Sequence, residues 1–522
     1  MLMSGQAYRE SLKTYKPIIY VNGRQVDSND PSLAPGVNGV ALTYDLALNK
    51  NYEPVMLAHD RFSVNPGKRV NRMIAIPGDS TDLLNKLEAV RLVCQETGCA
   101  QRYLGGDALA SIYQNSYLLD AKYPRNYVER IRNYLDHVYE NDLTLGVAMT
   151  DAKGDRSKRP HLQANPDTYL HIVEQRKDGI VVSGTKAIVT GAPYMHELLV
   201  MPGRSMSKED ADFAVCFAVR IDAPGITIVA RPAGRPGEKA ASFSHQYGMS
   251  TGVVLFDKVF IPHDRVFLNG EYEFAGPLVY EYTSHHRHTC IAARAGFGDL
   301  LIGAGALMTE ANGIDLEHSS NLREQMVDLI KIVEGFYACG VAASVYNKRD
   351  SRSGLVVPDV VFANIGKLLL ATQIYDMHRI AHHVSGGLIV TLPGPDEDHN
   401  PMTAGRLSEV LTANSDVPYQ KRIEVARFIE DLTASYQGGW YSVISLHGGG
   451  SPEAMKTEIW RNYPIGNKVD LVERLLGRGL LADATRKITQ NRQPGKCCDA
   501  GCMIPIENQL KIENRIPIQV IN

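Results

Sequence analysis

The sequence predicts an α+β fold in three blocks, on three observations. Residues 1–145 carry a helical hydrophobic period, and residues 146–275 switch to short β-branched runs broken by Gly, Pro and Asp turns. Residues 276–490 return to long helical segments. A last stretch, 491–522, loses the period and reads as an extended tail. At 522 residues the chain is too long for one ordinary core, so about three folding units are expected.

In the first block, "DLLNKLEAVRLVCQET" and "NYVERIRNYLDHVYENDL" place apolar residues three and four apart, which gives each segment one buried stripe and makes the block mostly α. In the second, "DGIVVSGTKAIVTG", "FAVCFAVR", "GITIVARPAG" and "TGVVLFDKVFIP" predict an antiparallel sheet or small barrel. In the third, "LREQMVDLIKIVEGFYACGVAASVYNK" and "DVVFANIGKLLLATQIYDMHRIAHHV" are long enough for an up-and-down bundle.

The formal charge of -3, from 55 basic and 58 acidic residues, leaves no electrostatic footprint for nucleic acid or an anionic membrane. No run of about 18 apolar residues stands out, and "MLMSGQAYRESLKTYK" has no apolar leader core, so a soluble, cytoplasmic protein is expected. Five of the eight cysteines are scattered, as free thiols in a reducing compartment are. Cys497, Cys498 and Cys502 cluster in the tail as "KCCDAGC", where free or oxidisable thiols are expected ahead of a bound metal.

Several stretches can carry chemistry. "GVAMTDAKGDRSKRP" (146–160) gathers Thr150, Asp151, Lys153, Gly154, Asp155, Arg156 and Ser157 in a loop whose donors suit a pyrophosphate or a ribityl chain, and equally a solvated inter-domain loop. "TSHHRHTC" puts His286 and Cys290 four apart on one helical face, a possible metal pair, although a catalytic or hydrogen-bonding histidine is the better expectation. In "HHVSGGLIVTLP", Gly386 and Gly387 permit a helix stop or a close approach to a ligand. "SLHGGGSPEA" reads as a turn opening a helix. The glycines of "GFGDLL" and "GAGALM" lie inside a helical pattern and read as close helix packing, not as a dinucleotide fingerprint.

The block order is the layout of acyl-CoA dehydrogenases and their relatives, an analogy of fold that sets no reaction. Beyond layout, the chain resembles the flavoprotein family of 4-hydroxyphenylacetate 3-hydroxylase and 4-hydroxybutyryl-CoA dehydratase. The resemblance runs through "YRESLKTYKPIIYVNGRQV", "VNRMIAIPGDSTDLLNK", "AMTDAKGDRSKRP", "YLHIVEQRKDGIVVSGTKAIVTGAPYMHELLVMP", "LFDKVFIPHDRVFL", "HHRH" and "SGGLIVTLP". It implies FAD held between the β block and the bundle of a homotetramer. The implied contacts are Thr150, Lys153, Asp155, Arg156, Ser157, Thr190, Gly386 and Gly387.

The two branches of that family imply different sites. The dehydratase pattern requires a [4Fe-4S] cluster on Cys-x3-Cys plus a His and a Cys seven apart; Cys99 and His286 match, but Tyr103 and Ala293 stand at the other two places, so the iron-sulfur site is incomplete and no metal is expected. The hydroxylase branch needs no metal. It uses reduced FAD from a separate flavin reductase, with oxygen, to hydroxylate a phenol. Arg102 matches its arginine and would meet a substrate anion, with Tyr103 and His286 near the reacting oxygen, while Gly146 or Val147 replaces a histidine of that branch. The leading expectation is a two-component flavin monooxygenase on a phenolic substrate. The alternative is a cluster-free, FAD-dependent enzyme of CoA thioesters, a vinylacetyl-CoA isomerase or dehydratase-like protein, with His286 moving protons.

Overall fold

A computed structural model describes residues 2–235, 238 and 240–476 of the chain. The tail cysteines Cys497, Cys498 and Cys502 lie outside the described residues. Residues Met1–Tyr463 form one compact unit, and a second begins at Pro464.

The N-terminal block contains helices α1 (Gly5–Leu12), α2 (Ala34–Leu48), α3 (Glu53–Met56), α4 (Ser80–Thr97), α5 (Tyr103–Lys122) and α6 (Tyr127–Glu140). Their ends follow local chemistry. Asp79 caps α4 by accepting from the Asp82 N–H, and α4 stops at Gly98 in the left-handed conformation, which costs a glycine nothing. On α6 the buried residues Tyr127, Ile131, Tyr134, Leu135 and Val138 form the expected stripe.

The block is less purely helical than its periodicity suggests. Strands β1 (Ile18–Val21) and β2 (Arg24–Val26) leave it to join the central sheet, and β3 (Leu57–His59) pairs with β4 (Arg69–Asn71). The strands that follow are β5 (Leu145–Ala148), β6 (His171–Gln175), β7 (Gly179–Thr190), β8 (Glu197–Val200), β9 (Val215–Arg220), β10 (Ile226–Arg231), β11 (Thr251–Pro262) and β12 (Val266–Asn269), with the short antiparallel pair β13 (Lys348–Arg349) and β14 (Val356–Val357) inside the C-terminal block.

Strands β1, β2 and β5 to β12 form a six-stranded sheet, β2-β1-β10-β11-β7-β6, and a four-stranded sheet, β12-β9-β8-β5. Each contains one parallel pair, β1 with β10 and β5 with β8, so the antiparallel expectation holds for most of the block but not for the strands imported from outside or at its start. Parallel neighbours need long crossovers, which strand patterning alone does not reveal.

The short α7 (Ser242–Tyr247) precedes the bundle of α8 (Ala275–Ala311), α9 (Ser320–Val345), α10 (Val360–Val384), α11 (Ala404–Leu411), α12 (Tyr419–Thr433), α13 (Tyr436–His447) and α14 (Pro452–Asn462). The described part of the second unit is α15 (Ile465–Leu475). Of the described helices, α8 is long and apolar enough to cross a membrane by length and composition; with 67% of its apolar window buried among the other elements, it is a core helix. Its glycines act as spacers. A Cβ on Gly296 would lie 2.4 Å from the Arg91 carbonyl oxygen of α4, so the two helices meet almost backbone to backbone.

One core joins α4, α8, α9, α10, α12 and α13. A second joins α5, α6 and the four-stranded sheet, and a third lies beneath the six-stranded sheet. The N-terminus of α5 sits where the first two meet, and the polar cluster described next is embedded there.

Candidate active site

Helix α8 is apolar on average, yet at its centre it buries His285, His286, Arg287, His288, Thr289, Cys290 and Arg294. Ionisable groups are rarely buried unless paired or functional. Facing them are Tyr103 and Asp107 on α5, four residues apart and therefore on one face, with Lys86 and Cys94 on α4, Cys99 in the connecting loop and Lys367 on α10. Gly106 permits the approach of α5: a Cβ there would sit 2.3 Å from the Met73 carbonyl oxygen and 3.2 Å from Lys86 Nζ.

A continuous polar chain results. Lys86 Nζ donates to Asp107 Oδ1 at 2.9 Å, Thr289 Oγ1 donates to Asp107 Oδ2 at 2.6 Å, and His286 Nδ1 meets the same oxygen at 3.3 Å. The far nitrogen, His286 Nε2, lies 3.4 Å from Cys290 Sγ. Tyr282 and Tyr103 flank the imidazole in stacked orientation, with ring centroids 5.1 and 6.0 Å away. The glycine-rich turn after α13 lies beside it: a Cβ on Gly449, at φ +77°, would come within van der Waals contact of His286, Arg287 and Lys367.

Burial raises the Asp107 carboxyl, but Lys86 and His286 together hold it well below the usual carboxylate range. Burial would neutralise His286; the facing Cys290 and Asp107 outweigh it and bring the imidazole up to about 9. Cys290 is likewise raised by burial and lowered further by His286 and Lys367, ending below an ordinary thiol. Its neighbours Cys94 and Cys99 are instead raised by burial, as neutral thiols are.

Cations exceed carboxylates in this basin. Arg294 is 6% exposed, makes no ion pair with a carboxylate among the described residues, and leaves Nη1 without a hydrogen bond. Lys367, 1% exposed, donates among the described residues only to the Ser445 carbonyl at 2.7 Å, and burial brings it down to about 8. Arg287 is held by the Gly449 carbonyl and Asn364, each at 2.8 Å. Such a basin favours an electron-rich ligand or a developing negative charge.

Arg102 is turned the other way. Fully buried, it pairs with Asp142 through Nη2, donates to the Asp142 carbonyl at 2.9 Å, and lies 3.7 Å from the Tyr44 ring centroid. This corrects the expectation of a guanidinium open to a substrate anion: Asp142 already answers the charge. Tyr103, one residue on, faces His286. The structure therefore brings Tyr103 and His286 together and separates Arg102 from them.

The loop of 150–157 is exposed from Ala152 onward, with Asp155 accepting from Ser157 N at 3.0 Å and Oγ at 2.7 Å. Its base is pinned by buried Lys186, which reaches Asp151 at 2.7 Å and the carbonyls of Met149 and Met201 at 3.0 and 2.9 Å, so Asp151 is a structural anchor. The side chains of Lys153 and Arg156 make no ion pair among the described residues. Thr190 ends β7 opposite Thr251, two residues past Ile188, a β-branched residue at φ +59° beside a register shift. Gly386 and Gly387, at φ +69° and +76°, close α10, and a Cβ on Gly387 would meet nothing within 4 Å.

Among the described residues no group of three or more His, Cys, Asp or Glu side chains is arranged to hold a metal ion. The cluster expected of a dehydratase does not fit, because a phenol at Tyr103 and a methyl group at Ala293 supply no thiolate. Patterning missed Asp107, Lys86, Arg294 and Lys367. The available signal was the spacing of Tyr103 with Asp107 on one helix face, matched by His286 with Cys290 on another.

The two sheets between helical blocks define the acyl-CoA dehydrogenase-like fold class, here with a buried cluster of ionisable side chains. Family models for the N-terminal and C-terminal parts of 4-hydroxyphenylacetate 3-hydroxylase match residues 4–268 and 275–477, and the chain belongs to that family. It is 34% identical to the 4-hydroxybutyryl-CoA dehydratase/vinylacetyl-CoA-Delta-isomerase of Clostridium aminobutyricum, over 91% of this chain and 100% of that one. It is 26% identical to the 4-hydroxyphenylacetate 3-monooxygenase oxygenase component of Thermus thermophilus, over 91% and 97%. Among solved structures, the oxygen-tolerant 4-hydroxybutyryl-CoA dehydratase of N. maritimus superposes with a TM-score of 0.86 at 32% identity, covering 91% of this chain and 95% of that one. The oxygenase component of 4-hydroxyphenylacetate 3-monooxygenase complexed with FAD gives 0.79 at 23% identity, covering 91% and 98%, a likeness of fold.

Proposed function

We propose that this chain is an FAD-dependent enzyme of acyl-CoA thioesters that moves a carbon–carbon double bond by proton transfer, as a vinylacetyl-CoA isomerase does. The observation that carries the reading is the buried chain Asp107–His286–Cys290, proton-handling groups in a basin of excess positive charge. Shifting a β,γ double bond to α,β removes a proton from Cα and returns one at Cγ. It needs an acid, a base and stabilisation of the intervening enolate, and no iron-sulfur cluster. The 34% identity to a protein bearing both dehydratase and isomerase names supports the same substrate class.

FAD fits the residues present. Lys153 and Arg156 offer exposed cations, without an ion pair among the described residues, for a pyrophosphate; Asp155 and Ser157 shape their loop; Thr150 and Thr190 stand at the sheet, and the left-handed Gly386 and Gly387 leave open space for close approach. When bound, the flavin would supply a planar, polarisable ring and redox capacity. Around it this chain's residues do the rest: Arg294 and Lys367 favour the enolate oxygen, Tyr103 and Tyr282 hold the His286 ring in plane, and the Gly449 turn excludes water. Assembly as a homotetramer in the cytoplasm belongs to the same proposal.

The test is conversion of vinylacetyl-CoA to crotonyl-CoA by FAD-loaded protein in D2O, with deuterium appearing at Cα and Cγ. No turnover, together with no change of the flavin spectrum on adding CoA esters, sinks the reading. A second reading, the two-component monooxygenase served by a flavin reductase, draws on the 26% identity to an oxygenase component over 91% of this chain, and not on Arg102, which Asp142 already pairs. It requires oxygen-dependent hydroxylation of 4-hydroxyphenylacetate when reduced FAD is supplied.

A further inference from the structure

We propose that Cys290 is a working member of a Cys–His–Asp relay, the base whose conjugate acid passes its proton back to His286, in the space where the family's dehydratase pattern would place a cluster. The inference rests on the acyl-thioester reading for its substrate, and on geometry alone for the relay.

Three features separate this thiol from the other buried cysteines. Cys290 lies one helical turn after His286, so their side chains share a face and Sγ reaches Nε2 at 3.4 Å while Nδ1 is held by Asp107 at 3.3 Å. That is the order nucleophile or base, imidazole, carboxylate, in which the acid fixes the ring and stabilises its charged form. Asp107 is itself fixed by Lys86 and Thr289, so the chain has a rigid end. Finally, the charged and titratable groups facing the thiol are predominantly cationic or neutral. They are His286, Arg287 and Tyr282 on its own helix, Tyr103 and Asp107 on α5, Cys99 in the preceding loop, Cys94 on α4 and Lys367 on α10. Asp107 is the one carboxylate among them, and it is engaged by Lys86.

The step balances without an oxidant or reductant. The Cys290 thiolate takes the Cα proton, the C–H electron pair becomes the Cα–Cβ double bond as the old double bond's electrons move to Cγ, and the His286 imidazolium gives Cγ its proton. The proton on Cys290 then crosses to His286 and restores the starting pair.

Two measurements on FAD-loaded protein test it. Iodoacetamide labelling followed by peptide mapping reads the thiolate directly: the Cys290 rate at pH 7 should stay within about threefold of its value at pH 9. In His286→Gln it should fall about 50-fold over the same range, as an ordinary thiol does. A wild-type rate that falls like the variant's, or a Cys290 that never labels, overturns the relay. Deuterium exchange at Cα of vinylacetyl-CoA in D2O should slow at least tenfold in Cys290→Ser, with KM within about twofold and the flavin spectrum intact. Unchanged exchange in that variant overturns the relay and leaves the acyl-thioester reading standing. A wild-type thiolate without any exchange keeps the ion pair and removes the acyl-thioester reading.

Discussion

Two buried charge clusters sit on either side of the α5 N-terminus, and adjacent residues, Arg102 and Tyr103, belong one to each. On one side Arg102 meets a single carboxylate, Asp142, two backbone carbonyls and the Tyr44 face, and charge is balanced. On the other, Lys86, His286, Arg287, Arg294 and Lys367 surround Asp107 and the Cys290 thiol, and positive charge is in excess. A balanced pair has nothing further to gain from a ligand. An unbalanced basin with a thiol and an imidazole in contact can hold an anion and exchange protons. Burial alone therefore does not mark a site; unmet charge next to a movable proton does.

The largest effect that would sharpen the contrast is on catalysis. His286→Gln should lower kcat by about 10²- to 10⁴-fold, the usual worth of a positioned acid–base group, with KM for the CoA ester little changed. Arg102→Met should act instead on stability, costing about 3–5 kcal/mol in denaturant unfolding because Asp142 is left charged and buried. If Arg102→Met unfolded at the wild-type denaturant midpoint and only raised KM, the two clusters would not differ as described. Thr289→Val removes a hydrogen bond to a carboxylate and should cost about 1.5–3 kcal/mol, with a smaller loss of rate than His286→Gln.

The smallest effect is a pH slope. Burial holds Lys367 near 8 in the folded protein against 10.5 when exposed, so between those values the unfolded chain binds more protons and stability rises with pH. Below about 8 the lysine is charged in both states and its penalty is constant. Lys367→Met should flatten that rise, read as denaturant midpoints at pH 8 and pH 10; a slope unchanged from wild type would place the charge outside the basin.

The order of helical, β and helical blocks was legible in the sequence because hydrophobic period is a local property that each segment carries by itself. The 146–160 loop, the glycine pair 386–387 and the turn before α14 were legible for the same reason, as strings of turn and cap residues. Strands β1 and β2 were not: β1 pairs with β10, some 200 residues away, β2 with β1, and runs this short inside a helical stretch carry too little pattern to announce a pairing. His286 and Tyr103 of the candidate site were singled out from their motifs, whereas the direction in which Arg102 points was not legible, because side chains on consecutive helical residues diverge by about 100°.

By itself, then, the sequence determined the block order, the family resemblance and the presence of a phenol at 103 and a methyl group at 293, since each depends on which residue stands at a given place in the chain. Only the tertiary structure decided that Asp107 completes the line from Lys86 to Cys290, that Arg102 is already paired, and that positive charge is in excess around the thiol. Those are statements about distance between segments up to about 280 residues apart, from Lys86 to Lys367. Distance is set by packing, by the close approach that Gly106 and Gly296 allow between α5, α4 and α8, and no local pattern encodes it.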